Sequence, residues 1–127
     1  MKNLFVFLAV FLFTMLFFIG CKKDSVDTQK PVVKINSPAW GDSFPDGDSV
    51  TVTATISDNS DLGEVHFEVT NKANSAEIVH LHLFPNSKTY DLTEGFSVHS
   101  GITYHIVVEG DDKSGNAAED VIEISGN

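Results

Sequence analysis

The sequence holds 127 residues, and removal of a strongly apolar first 20 leaves 107, enough for one small domain and too few for two. Beyond residue 20 stand 18 acids against seven Lys and no Arg, a net of −11 once Lys2 is left out, so a nucleic-acid-reading surface is excluded. A single cysteine excludes a disulfide scaffold, and six of the ten Phe fall in the leading segment, so the core must rest on Val, Ile and Leu.

Met1-Lys2-Asn3 gives a positive start, and residues 4–19 form an apolar run broken only by Thr14, followed by Gly20 and Cys21. This is the layout of a secretory signal, slightly short for a spanning helix. Phe18-Ile19-Gly20-Cys21 resembles the lipobox of bacterial lipoproteins, with Phe18 standing where Leu is usual. The resemblance implies cleavage before Cys21, lipidation of its thiol and passage to the outer membrane, since Lys22 rather than Asp follows the cysteine. Two or three acyl chains give a stable anchor where one gives only a marginal hold. The other reading is an uncleaved signal anchor with a free Cys21 thiol. Lys23 and Asp24 resemble part of the surface-export tag of Bacteroidota lipoproteins, so both the periplasmic and the outward orientation stay open.

Residues 21–30 are expected to form the lipidated cysteine and a polar, flexible tether of at most roughly 30 Å. From Pro31 to Asn127, β-branched residues alternate with polar ones between Gly, Asn, Asp, Ser and Pro clusters, with no helical period, which predicts an all-β domain. Strands are expected at 32–35, 49–57, 62–70, 78–84, 87–92, 101–109 and 120–125. In the second, Val50, Val52, Ala54 and Ile56 share a face. In the third, Val65, Phe67 and Val69 turn inward and Glu64, His66 and Glu68 outward.

About seven short strands at this spacing predict a Greek-key sandwich. Residues 31–38, 47–52, 57–60 and 104–116 resemble the immunoglobulin-like modules of bacterial surface proteins, over essentially the whole chain from Pro31. The resemblance implies that Tyr104 is a tyrosine-corner residue and that 112–116 is a tight turn, with Gly115 at positive φ and Asp112 bonding the turn amides. Ile106 stands where antibody domains have a cysteine, so the core must hold by apolar packing. Tyr104-His105, Gly115-Asn116 and the histidine-bearing strands are also similar to a Bacteroidota lipoprotein domain family of unknown function, which implies no activity.

Three constellations are candidates for binding. His66, His80, His82 and His105 share one exposed sheet if 78–84 pairs with 62–70, and three of them could hold zinc or copper. If 78–84 joins the other sheet, the set disperses into independent solvent-facing side chains. No aligned acid suggests a catalytic metal. Asp58, Asp61, Asp111 and Asp112, with Asn59 and Asn116, lie in loops at one end, where cadherin-like relatives place calcium; as simple turn formers they need no ion. Trp40, Phe44 and Phe96 could stack on a sugar or a protein ligand, or cap the core. The serines lie in turns without a nucleophile elbow, and there is no phosphate loop or dinucleotide fingerprint, so no enzyme is expected. The expected role is a non-catalytic binding module for an unidentified protein or glycan, anchored in the outer membrane. The alternatives are a metal-binding lipoprotein and an accessory subunit recruited by strand addition.

Overall fold

Apolar side chains at every second position need a second sheet to cover them, and the computed structural model, described here for residues 25–127, meets that need with two packed sheets. The expected signal (1–20) and Cys21 lie outside the described residues. The strands are β1 (Val32–Ser37), β2 (Ser43–Phe44), β3 (Ser49–Ser57), β4 (Leu62–Asn71), β5 (Glu77–Leu83), β6 (Thr89–Ser97), β7 (Thr103–Asp112) and β8 (Ala117–Gly126). β1-β3-β6 form one sheet and β2-β8-β7-β4-β5 the other. All pairs are antiparallel except β2 with β8. The architecture is the expected immunoglobulin-like sandwich. Among the described residues no helix is long and apolar enough to cross a membrane.

The core follows the alternation. Val50, Val52, Ala54 and Ile56 of β3 face Val65, Phe67 and Val69 of β4 and Tyr104, Ile106 and Val108 of β7, all buried. Ile106 therefore packs as an apolar residue at the position where a cysteine would otherwise cross-link the sheets.

The strand expected at 101–109 runs on to Asp112 and that expected at 120–125 begins at Ala117, so β7 and β8 pair right up to the 112–116 turn, and two further elements depart more. The strand expected at 87–92 is β6, which starts later and runs to Ser97, because its inner face reads Tyr90, Leu92, Glu94, Phe96 and the half-buried Glu94 interrupts the apolar pattern. The two-residue β2 is too short for any period; it is held by pairing with Ser125 and Gly126 at the end of β8. The segment expected to be a free tether, 21–30, is partly engaged, since Asp27 is bonded to two loops.

Tyr104 closes the corner as expected: its hydroxyl accepts a 2.6 Å hydrogen bond from the backbone N–H of His99, five residues upstream. Its ring packs at 5.2 Å on Phe96 of the other sheet. Gly110 lets the sheets approach at the opposite end, for a Cβ there would lie 2.7 Å from the Ile56 side chain.

Tyr104→Phe keeps the ring and strands the His99 amide, so it is expected to cost about 1–2 kcal/mol, seen as a lower urea midpoint at unchanged m-value. Gly110→Val is expected to destabilise more, since Ile56 in a β3 paired on both sides cannot withdraw.

Candidate functional site

Burial of Val65, Phe67 and Val69 turns Glu64, His66 and Glu68 of β4 to the outer face. β5 pairs with β4, which is the arrangement that gathers the histidines: His82 lies opposite His66, and His80 opposite Glu68. The His66 and His82 ring centroids are 4.3 Å apart and those of His80 and His82 4.8 Å. One ring nitrogen from each of the three lies within 4.8 Å of the others. His105 is not part of this group. It occupies the same face but pairs with Thr70, four residues beyond His66 on β4, a displacement of about 13 Å along the strand.

Carboxylates engage all three rings. His82 Nδ1 is 2.6 Å from Glu64 Oε1, and His80 Nδ1 is 2.9 Å from Glu77 Oε2. His66 Nε2 lies 3.2 Å from Glu64 Oε1 and 3.9 Å from Asp111 Oδ2. That nitrogen is shielded from solvent, yet none of these contacts has the alignment of a hydrogen bond. The hydrogen bond from His82 holds the Glu64 carboxyl below its ordinary range; desolvation opposes it, and a contact with His66 and the two imidazole charges assist.

No acid was expected to align with the histidines, yet Glu64 stands beside His66 on the outer face of β4 by plain alternation, and a strand bulge adds Glu77. At β5 the register passes over Ile78, so Glu77 lies opposite Thr70 and on the same face as His80, three residues away, where strict alternation would put it on the other side. A second irregularity at Gly63 lets Leu62 point inward while Glu64 points outward. Asp111 pairs with Glu64 and so stands beside His66 instead of in the loop cluster where the sequence suggested it.

The loop end holds a different arrangement. Asp58 and Asp112 come together with Asp27, with one oxygen from each within 4.8 Å of the others, whereas Asp61 turns away to Lys113 at 3.6 Å. Asp27 was missed because it lies in the segment read as tether. Asp112, only 4 % exposed, accepts bonds from the Ser114 and Asn116 amides and from Asn116 Nδ2, and Gly115 takes φ +87°, as the turn requires. Asp58 Oδ1 accepts from the amide and hydroxyl of Ser60, leaving Oδ2 shielded and without a partner. Asn59 Nδ2 donates to the Asp27 carboxylate and Asn116 Nδ2 to the Asp27 carbonyl, so both loops grip the chain as it enters β1. Desolvation pushes Asp112 up, but the bonds from Asn116, Ser114 and Gly115 together hold it below its ordinary value.

Of the three aromatics, Phe96 is buried against Tyr104, Phe44 packs half-buried on the core, and Trp40 alone stays open, 63 % exposed.

A model of the bacterial Ig domain family matches residues 31–108, from the entry of β1 through most of β7. Among curated proteins none matches the chain in sequence. In structure the chain is similar to the fibronectin(III)-like modules of Clostridium thermocellum CbhA, with TM-score 0.52 and 21 % identity over 75 % of this chain and 94 % of that one. It is also similar to a superoxide reductase (neelaredoxin) from Ignicoccus hospitalis, with TM-score 0.57 and 10 % identity over 78 % and 81 % of the two chains. At such identities the likeness is one of fold.

Because the Asp112 carboxyl is held below the usual value near 3.8, its contribution to stability is present above that value and lost as the pH falls through the lowered one. Urea midpoints of wild type and Asp112→Asn are expected to differ by a constant amount from pH 7 to about pH 5 and to converge as the pH falls further.

Proposed function

The chain belongs to the bacterial Ig domain family, and from that premise we propose that it is an envelope lipoprotein, held in the outer membrane through Cys21, whose single domain is a non-catalytic module binding a protein or glycan ligand. The lipobox-like Phe18-Ile19-Gly20-Cys21 supports the anchor. The observation that carries the binding role is the polarity of the domain. Asn59 and Asn116 fasten Asp27 at the end where β1 begins, only six residues after Cys21. The Gly41 amide bonds the Glu123 carbonyl of β8, so the loop of Trp40 lies six residues along that strand from its Ala117 end, about 20 Å away. A domain anchored in this way turns its 113–116 loop toward the membrane and Trp40 away from it. An exposed indole on a rigid scaffold offers stacking area at little entropic cost, which suits a sugar ring or an apolar protein contact.

The anchor is tested by fatty-acid labelling and fractionation: wild type is expected to carry label and sediment with membranes, and Cys21→Ala to lose both, whereas an unlabelled wild-type protein would remove the lipoprotein reading. The binding role is tested with a photoreactive residue in place of Trp40 or of Lys113. The first position is expected to cross-link one discrete envelope component in living cells. Equal products from the two positions, or none from either, would count against a ligand-facing end.

A further inference from the structure

We propose that His66, His80 and His82 bind a divalent late transition-metal ion, zinc or copper(II), on the outer face of the β4–β5 edge, independently of whether Cys21 carries lipid. The three rings come from two adjacent strands and meet through register, His66 opposite His82 with His80 two residues on, so their spacing is set by backbone hydrogen bonds. The Nδ1 atoms of His80 and His82 are engaged by Glu77 and Glu64 at 2.9 and 2.6 Å. An imidazole that donates Nδ1–H to a carboxylate presents the Nε2 lone pair, and carboxylate–imidazole pairs of this kind orient rings and raise their basicity toward a metal. Glu77 and Glu64 are therefore positioning residues.

His66 adds an independent sign. Its Nε2 is shielded from solvent and lacks a hydrogen-bond partner, although it faces the Glu64 and Asp111 carboxylates, and a metal ion beside those anions would give the set the charge it lacks. Tetrahedral ligands at about 2.1 Å from zinc stand about 3.4 Å apart, so the present limit of 4.8 Å requires a closure of one to two ångströms. His80 and His82 have the freedom for it, with side chains 38 % and 47 % exposed. Three neutral nitrogens select zinc and copper over magnesium or calcium, which prefer oxygen. Water completes the coordination. The chain's net charge of −10 favours approach of any cation.

The full chain, purified in detergent without a polyhistidine tag or chelator, is titrated calorimetrically with zinc chloride and with copper(II) chloride. One ion per chain is expected, with a Kd of about 10 µM or below for at least one metal. His80→Gln with His82→Gln is expected to weaken binding at least about 100-fold while leaving the metal-free melting temperature in place, because both side chains are exposed. His99→Gln and His105→Gln are expected to bind as wild type does. Glu77→Gln, at unchanged metal-free stability, is expected to raise Kd about tenfold. No binding of either ion by wild type at 100 µM (about tenfold above that Kd), or unchanged binding by the double variant, would overturn the proposal. Should the double variant fold poorly, imidazole NMR of wild type decides. Zinc is expected to shift His66, His80 and His82 and to leave His99 and His105 in place, and a shift confined to the latter two overturns the site.

Discussion

The rest of the molecule depends on one constraint, the fixed register of β4 between β7 and β5. Val65, Phe67 and Val69 have no exposure at all, and because side chains alternate, their burial dictates that Glu64, His66 and Glu68 face outward. A slip of one residue would exchange the two sets, placing a histidine and two glutamates in an apolar interior, which the free energy of burial forbids. The same register brings His82 against His66 on one side and Glu109 against it on the other. Packing inside the sandwich thus determines the chemistry of its outer face.

The two ends of the sandwich are built differently. At the entry of β1, Asp112 collects the amides of its own turn while Asn116 and Asn59 reach Asp27, so polar bonds bind loops and incoming chain into one unit. At the other end the corner is tied by Tyr104 to the His99 amide, with Trp40 left outside. β1 is also tied to the second sheet, because its Ile35 amide donates to the Asp120 carboxylate of β8 and so is not left open to a second chain. β5 keeps a free edge, yet its outer face carries Glu77, His80 and His82, and charged or polar side chains on an edge strand discourage indiscriminate pairing.

The bulges connect fold and site. Each adds one residue without a partner: at Gly63 Leu62 turns inward while Glu64 keeps the outward side it shares with His66, and at Ile78 Glu77 moves to the side of His80. Without the bulge at Ile78 the histidine face would lack Glu77, and the His80 ring the carboxylate that now engages it.

Much of this was legible in the residues. The alternation in 49–57 and 62–70 gave the strands, the inner faces and the outward histidines, because burial of a β-strand is a period-two property of the chain itself. The turn at Asp112–Asn116 and the corner at Tyr104 were implied by the resemblance to immunoglobulin-like modules, and both are short-range, with partners at most five residues apart. Three things could be decided only by the tertiary structure. The β4 neighbour of β5 rests on contacts between segments that either sheet could have accepted; the place of Glu77 on the histidine face rests on a bulge, which breaks the period that makes strands readable; and Asp27 joins the loop end through bonds spanning 32 and 89 residues. By itself the sequence determined which side chains are buried and which way the histidines face, since that information is local. Which histidines meet, and which acids meet them, is a matter of strand order and register, fixed only when the sheets close on a common core.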